Sequence, residues 1–177
     1  GNQVSLNPSQ VPANLVDGST DTKWIDASFS SGSSVVELTL PSPTVVKEYV
    51  FYTGADPDKR DPTGWTVERL NHGTWQTLGS PTGTPPVGRG LPYTPFSLIP
   101  VPPPNPPPAP PEPPASPESK TYKFAFDELY HGGDGDGVAL AEVRLYGEGG
   151  ELLTILGAQC EGCDDSLNEN EPAFQAV

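Results

Sequence analysis

Two cysteines, Cys160 and Cys163, lie three positions apart in the segment CEGC, a spacing that occurs in redox-active and zinc-binding motifs. A structural zinc ion takes four ligands, and the sequence offers no second Cys/His pair to complete such a set. A thioredoxin-like motif needs a βα context, which the sequence does not indicate. We therefore expect a short local disulfide between the two cysteines, with a bond to another copy of the chain as the alternative.

Residues that usually carry catalysis are sparse in this sequence. It holds two histidines, and no Ser-His-Asp order with a nucleophile-elbow motif occurs. Its many carboxylates lie in polar loops, where the dry pocket that a general acid needs is not expected. We predict that the protein is not an enzyme.

The segment HGGDGDG at 131–137 is similar to a calcium-binding repeat at first sight. It occurs only once, however, and it departs from the nonapeptide pattern of such repeats. We interpret it as an exposed hairpin loop in which the glycines supply positive φ angles. Weak calcium binding by Asp134 and Asp136 is the alternative.

The charge balance excludes several classes of partner. The 177 residues include nine Lys plus Arg and 23 Asp plus Glu, for a net charge of −14. Nucleic acids and anionic membrane surfaces both attract basic segments, so neither is expected as a partner. No apolar stretch is long enough for membrane insertion. Acidic loops suit Ca²⁺ and an extracellular location.

The chain starts at Gly1 and contains no Met, so we expect a mature fragment or an excerpt.

Short strands must position whatever site the chain has. Alternating apolar and polar residues, or runs rich in β-branched and aromatic residues, recur between Gly- and Pro-rich turns, without a convincing amphipathic helix. This pattern is typical of an all-β sandwich. The predicted strands are residues 34–40, 45–54, 64–70, 74–79, 121–129, 138–147 and 151–156.

The proline-rich residues 99–117 separate the predicted strands into two groups. The three strands on the C-terminal side bury too little surface to fold alone, whereas about eight strands together match a jelly roll. We therefore predict one sandwich over residues 1–156, interrupted by a Gly/Pro-rich insertion at 80–120. Within the insertion, residues 99–117 are predicted to form polyproline II.

Three motifs occur in an order that is typical of one family: PANLVDGSTDTKW at 12–24, RDPTGWTVERLNHGTWQTLG at 60–79 and ALAEVRLYG at 139–147. Together they resemble the discoidin, or coagulation-factor type C, family of the galactose-binding-like superfamily. The resemblance implies a galactose-binding-like jelly-roll β-sandwich. The chain departs from the family at residues 80–120, where the family has a short connection.

The same resemblance implies a calcium site. Many relatives supply oxygen ligands from the loop that carries the Asp-Gly pair and from the glutamate of the last strand. Carried over to this chain, the ligands would be Asp17, Ser19, Thr22 and Glu142, with Asp21 as an extra carboxylate nearby. Ca²⁺ prefers about six to eight oxygen ligands, which a tight polar loop can present. A plain turn at Asp17 and a surface position for Glu142 are the alternative.

Members of this family often bind sugars or lipid headgroups through loops at one end of the sandwich. A sugar site combines an exposed aromatic ring with hydrogen-bonding side chains. The candidates are Tyr52, Arg60, His72 and Trp75. Trp24 and Trp65 match core positions of the family and are predicted to be buried.

The proline tract resembles the hydroxyproline-rich glycoproteins of algal and plant cell walls. That resemblance implies hydroxylated prolines that carry O-linked glycans, with an undecorated spacer as the alternative. The candidate attachment residues are Pro102, Pro103, Pro104, Pro106, Pro107, Pro108 and Ser116.

The last residues of the chain are similar to the first ones. SLNENEPAFQAV at 166–177 matches SLNPSQVPANLV at 5–16 in part, so we interpret residues 157–177 as a tail that begins the next tandem repeat. A chance match is the alternative.

These features together predict an extracellular structural glycoprotein that assembles with copies of itself into a fibril, hair or cell-wall layer. A lectin-like adhesion module that binds glycans is the alternative function.

Overall fold

A computed structural model of the chain describes residues 10–27, 29, 33–55, 58–98, 118–130 and 137–163. Ten β-strands lie within these residues, together with 3-10 turns at Pro12–Val16 and Asp58–Arg60. The strands are β1 (Trp24–Asp26), β2 (Ser34–Thr44), β3 (Glu48–Tyr52), β4 (Pro62–Asn71), β5 (Thr74–Gly79), β6 (Phe96–Ser97), β7 (Ser119–Leu129), β8 (Val138–Leu140), β9 (Glu142–Tyr146) and β10 (Gly157–Cys160). No helix in the described ranges is long and apolar enough to cross a membrane.

The strands form a sandwich of two antiparallel sheets and a short ribbon. One sheet has the order β10-β2-β7-β4-β5, the other has the order β6-β3-β9, and β1 pairs with β8. Strands from both sides of residues 99–117 share these sheets, since β7 lies between β2 and β4 and β9 pairs with β3. The all-β sandwich predicted from the sequence is confirmed.

Successive side chains of each long strand lie on opposite faces of the sheet, and the apolar side chains of the inward faces pack in one core. The inward residues of β2, β4 and β7 are Val36, Leu38, Leu40, Trp65, Val67, Tyr122, Phe124 and Phe126, all at most 1% exposed. Aromatic rings of β3 pack against them, with the ring centroids of Tyr49 and Phe124 5.0 Å apart. Trp24 and Trp65 are both buried, as predicted. The core therefore contains many large aromatic rings, whose burial removes a large apolar area from water.

One polar contact crosses this core. The indole N–H of Trp65 on β4 donates a hydrogen bond to the hydroxyl of Tyr49 on β3 at 2.7 Å. The bond joins the five-stranded sheet to the three-stranded sheet and satisfies two buried polar groups at once. Burial raises the pKa of Tyr49, so its hydroxyl stays protonated at any physiological pH.

The C-terminal strand prediction was wrong in position. Residues 151–156 were predicted as a strand, but only Leu152 pairs, in an isolated bridge with Tyr146. The strand is β10, residues 157–160, which pairs with β2 and so belongs to the sandwich and not to a tail. Segment GAQC contains no β-branched or aromatic residue, so its sequence gives no strand signal. The remaining tail residues, 164–177, lie outside the described residues.

The predicted insertion at 80–120 is also corrected at both ends. Tyr93 is 2% exposed, and its hydroxyl donates to the backbone carbonyl of Pro62 at 3.1 Å. Phe96, in β6, packs edge-on against Trp65 with ring centroids 4.8 Å apart. Ser119 begins β7. Two aromatic residues in a Gly/Pro-rich segment thus add to the core, and residues 99–117 of the insertion lie outside the described residues.

The sandwich has two ends, which the ten residues of β4 hold roughly 30 Å apart. At the hairpin end, His72 and Gly73 both have positive φ and form the tight turn between β4 and β5. Leu98 and the β2–β3 connection lie at the same end, next to the first residue of β3. At the opposite end, called the Asp17 end, the loop 17–22 meets Glu142, the first residue of β9.

Replacing Tyr49 with Phe tests the contact between the sheets. The variant keeps the ring but leaves the indole N–H of Trp65 buried without an acceptor, so we expect a loss of about 1–3 kcal/mol in the free energy of unfolding. Urea unfolding followed by tryptophan fluorescence measures the change. Tyr146→Phe is the control, because the Tyr146 hydroxyl makes no hydrogen bond to the described residues, and its effect should stay within about 0.5 kcal/mol. Equal stabilities of Tyr49→Phe and the wild type would contradict the assigned role.

Candidate functional site

The four predicted calcium ligands lie together at the Asp17 end. The Asp17 carboxylate accepts hydrogen bonds from the backbone N–H of Ser19 at 2.8 Å and from the Thr22 hydroxyl at 2.7 Å. The backbone N–H of Gly18 donates to Oε2 of Glu142 at 3.2 Å, across 124 positions of sequence. Asp21 donates its backbone N–H to the Ser19 hydroxyl. The structure thus brings an early loop and a late strand into direct contact.

The donor set at this end suits a Ca²⁺ ion. Its members are carboxylate, hydroxyl and carbonyl oxygens, the ligand types that Ca²⁺ prefers. Burial raises the pKa of Glu142 above its ordinary value of 4.5, and the negative charge of Asp17 raises it further. Arg144, whose Nε lies 3.5 Å from Oε1 of Glu142, and the N–H of Gly18 act in the opposite direction. A cation shared by the two carboxylates would remove their mutual repulsion.

Tyr52, a predicted sugar ligand, belongs to this same end. It is the register partner of Glu142 across β3 and β9, and its hydroxyl accepts a hydrogen bond from Nη1 of Arg144 at 3.0 Å. The Arg144 guanidinium also covers the Tyr52 ring, 4.5 Å from its centroid. One ring face is therefore occupied by a side chain. A hollow of about 230 Å³ beside Glu142 and Arg144 is also lined by Val16, Gly18, Val143 and residues 152–155.

The other predicted sugar ligands are dispersed. Arg60 is 6% exposed within the turn that precedes β4, so it does not present its guanidinium to solvent. His72 is exposed at the hairpin end, the full length of β4 away from Arg60. Trp75 lies on the outer face of the five-stranded sheet, with Nζ of Lys123 4.2 Å above its ring. Tyr52, Arg60, His72 and Trp75 therefore do not form one site.

A cleft of about 340 Å³ lies between the two sheets at the hairpin end. We call it the inter-sheet cleft. Its apolar wall comes from residues 45 and 46 and from Leu78 and Leu98, and its polar groups include Lys47, Arg69, Gln76 and Glu148. A cleft of this size with a few convergent polar groups is the usual form of a small-ligand site.

Arg69 gives the inter-sheet cleft its chemistry. It follows Trp65 and Val67 on the inward face of β4 and is only 8% exposed. Its Nε and Nη2 atoms donate to Oε1 of Gln76 at 3.0 and 2.9 Å, and no hydrogen bond within the described residues uses Nη1. Lys47 and Glu148 form an ion pair of 3.2 Å on the rim. The guanidinium is held in place while donors remain for a ligand.

The sequence carried one signal for this site. In β4 the alternation Trp65, Val67, Arg69 puts a charged residue at a position where the pattern calls for an apolar one. A buried arginine is uncommon unless it is paired, which makes such a position a candidate for function. Gln76, Lys47 and Glu148 carried no signal, because their convergence depends on the pairing of β4 with β5 and of β3 with β9.

The remaining predicted residues divide between described and undescribed parts of the chain. Cys160 and Cys163 form a disulfide in the structure. The candidate glycosylation residues Pro102, Pro103, Pro104, Pro106, Pro107, Pro108 and Ser116 lie outside the described residues, as do Asp134 and Asp136.

Comparison with known proteins identifies the fold. No protein-family model matches the chain, and no curated protein matches it in sequence. Solved structures do match. The family 32 carbohydrate-binding module of NanJ from Clostridium perfringens, in complex with galactose, is 13% identical with a TM-score of 0.56, covering 80% of this chain and 88% of that one. The chain has a galactose-binding-like β-sandwich fold.

Two further structures have the same fold. Module CBM32-3 of a family 31 glycoside hydrolase from Clostridium perfringens is 14% identical with a TM-score of 0.60, covering 82% of this chain and 87% of that one. An F5/8 type C domain from Bacteroides fragilis is 14% identical with a TM-score of 0.56, covering 80% of this chain and 83% of that one. The resemblance noted in the three sequence motifs is thus confirmed at the level of the fold.

The raised pKa of Glu142 predicts a pH dependence of stability. The folded protein holds this proton more tightly than the unfolded chain, so the contribution of Glu142 is fully present below about pH 4.5 and is lost as the pH rises through the raised folded value. The free energy of unfolding of the wild type should therefore fall relative to Glu142→Gln as the pH rises from about 4.5 to 7. Chemical denaturation in chelator-containing buffer measures this difference. Glu148→Gln, whose carboxylate is exposed, is the control. A wild type that gains stability relative to Glu142→Gln as the pH rises would contradict the assignment.

Proposed function

We propose that this protein is a carbohydrate-binding module and that its ligand occupies the inter-sheet cleft. The observation that carries the proposal is the buried Arg69, which is held by Gln76 and lines the inter-sheet cleft of a galactose-binding-like sandwich. Structures with this fold include modules solved with galactose or with a GalNAc-galactose disaccharide bound. This support comes from fold and cavity together, since neither alone specifies a ligand.

The chemistry of the cleft suits a sugar. A sugar ring offers hydroxyl groups that both donate and accept hydrogen bonds, and it offers C–H faces that pack on apolar side chains. The guanidinium of Arg69 and the ammonium of Lys47 are donors only, and the Glu148 carboxylate is an acceptor. Leu78 and Leu98 supply apolar surface beside them. Lys47 and Glu148 neutralise each other in their ion pair, so Arg69 is left to donate hydrogen bonds to the hydroxyl oxygens of a sugar.

The polar groups of the cleft are held before any ligand arrives. The fork of Arg69 is fixed by Gln76, and the neighbouring Tyr122 hydroxyl donates to the backbone carbonyl of Thr44 at 2.9 Å. That bond secures the β2–β3 connection, which forms one wall of the cleft. A ligand therefore meets ordered donors and loses less binding free energy to the ordering of side chains.

We further propose that a structural Ca²⁺ binds at the Asp17 end through Asp17, Ser19, Thr22 and Glu142. When bound, the ion would neutralise the two carboxylates and tie the loop to β9. The contacts between Gly18 and Glu142 and the two hydrogen bonds to Asp17 support this assignment, because they already gather the donors. The Asp17 loop would then stabilise the sandwich, while the inter-sheet cleft would bind the ligand.

Fibril assembly through copies of the chain receives no support from these structures. The extracellular location and the glycosylated proline arm likewise stay predictions. Carbohydrate binding accounts for the fold and for the cleft, and catalysis is not part of the proposal because the fold's neighbours include modules named for binding.

Arg69→Lys tests the proposed sugar site. Lysine keeps the positive charge but loses the planar fork, so we expect glycan affinity to fall about tenfold, equivalent to about 1.4 kcal/mol. A glycan array on the full chain would select the ligand, and isothermal titration would measure its affinity for each variant. Arg144→Lys is the matched control at the Asp17 end and should bind as the wild type does.

The outcomes test the proposed function and the proposed binding site separately. Absence of binding to any glycan on the array would refute the proposed function. Binding that is lost in Arg144→Lys or Tyr52→Ala and retained in Arg69→Lys would place the ligand at the Asp17 end and refute the assignment to the cleft. Circular dichroism of each variant establishes that the sandwich is intact.

Calcium binding predicts a stability gain that depends on Asp17. At a free concentration of about 100 times the dissociation constant, Ca²⁺ should raise the free energy of unfolding by about 2.7 kcal/mol. Asp17→Asn should lose most of this gain. Asp21→Asn, an equal change of charge in the same loop, should keep it, because the Asp21 carboxylate is exposed and the hydrogen bond to Ser19 uses its backbone. Thermal unfolding of the wild type and both variants, with Ca²⁺ and with chelator, measures the gain in stability. An equal gain in all three proteins would contradict the proposed ligand set.

A further inference from the structure

A second cluster of metal-ligating groups lies where β1, β2 and β10 meet. Asp26 of β1, Cys160 of β10 and Cys163 just beyond it offer ligand atoms that all lie within 4.8 Å of one another. Sγ of Cys160 is 4.0 Å from Oδ2 of Asp26, although 134 positions separate the two residues in sequence. The CEGC spacing by itself lacks further zinc ligands, and the fold supplies a carboxylate.

Asp26 is rigidly positioned beside the two sulfur atoms. Its side chain is buried, 1% exposed, and Oδ2 accepts a hydrogen bond from the Ser34 hydroxyl. Its backbone pairs with Val138 in the β1–β8 ribbon. Gly137 lies so close that a Cβ atom there would stand 2.4 Å from the Asp26 carbonyl oxygen. The ribbon therefore fixes the backbone of Asp26, and Ser34 orients its carboxylate.

We propose that the reduced form of this cluster binds a thiophilic divalent cation of the zinc class, with the Cys160 and Cys163 thiolates and the Asp26 carboxylate as ligands. The ion would take its fourth ligand from water, since both cysteines are only half-buried. The Ser34 hydroxyl would orient the Asp26 carboxylate through its hydrogen bond and would not itself bind the metal, as is common for donors to metal-bound carboxylates.

The distances allow such a site. Zinc lies about 2.3 Å from thiolate sulfur and about 2.0–2.2 Å from carboxylate oxygen, so tetrahedral ligands stand roughly 3.3–3.8 Å apart. Atoms gathered within 4.8 Å reach that geometry through small side-chain rotations. Two thiolates and one carboxylate also place a net charge of −1 on the zinc-loaded cluster.

The cluster must be reduced before it can bind the ion. Two molecules of a low-molecular-weight thiol deliver two electrons and two protons: the bond between Cys160 and Cys163 breaks, two S–H groups form, and the reductant becomes its own disulfide. Zn²⁺ then displaces both thiol protons on binding. Disulfide formation and metal binding are therefore mutually exclusive states of the same three residues.

Cobalt titration of the full chain tests the proposal. After reduction with a trialkylphosphine, the wild type should bind one Co²⁺ per chain with thiolate-to-cobalt charge-transfer absorption, whereas the disulfide form should show none. Asp26→Asn, which preserves the shape of the side chain, should weaken binding at least tenfold. Glu161→Gln is the matched control, because it removes an exposed carboxylate between the two cysteines and should leave the affinity unchanged.

Three results of the titration would overturn the proposal. They are absence of thiolate–cobalt absorption in the reduced wild type, equal affinities of Asp26→Asn and the wild type, and two chains per metal ion. Zinc-edge X-ray absorption of the reduced wild type decides the ligand set even if Asp26→Asn does not fold. Two sulfur ligands with oxygen ligands near 2.0–2.2 Å support the site, and four sulfur ligands refute it.

Discussion

The hydrogen bond from the Trp65 indole to the Tyr49 hydroxyl lies in the middle of an apolar core and joins the two sheets there. A buried donor and a buried acceptor both lose water on folding, so they must meet each other or leave a desolvation cost of about 1–3 kcal/mol. This requirement fixes the distance and the lateral offset between the sheets, which apolar packing alone specifies less strictly.

Much of the architecture could be predicted from the sequence because long strands repeat their pattern. In β2, β4 and β7 at least three buried residues alternate with less buried ones, so the two-residue period of the sequence agrees with the burial. The short strands could not be found in this way. β1 is buried at all three positions, β6 has only two residues, and the GAQC segment of β10 has weak intrinsic preference for a strand. Their place in the sheets is set by tertiary pairing.

The candidate sites show a similar division. The family resemblance matches this sequence position by position, so it could name Asp17, Ser19, Thr22 and Glu142 as candidate ligands. The structure brings these four residues together. The predicted sugar ligands share only a suitable residue type, and the structure divides them between the two ends and the outer face of a sheet. Residue type identifies what a side chain can do. Which side chains act together depends on strand order, and strand order is a property of the whole chain.

The separation of the two ends has a thermodynamic consequence. The Asp17 loop and the inter-sheet cleft share no residue, and rigid strands with a close-packed aromatic core lie between them. Coupling between two binding events requires an element with two arrangements that both sites bias, and the described strands offer one closely packed arrangement. Their binding free energies should therefore add with a coupling term near zero. An ion at the Asp17 loop would shift the folding equilibrium towards the folded domain without changing how tightly the cleft would hold a ligand.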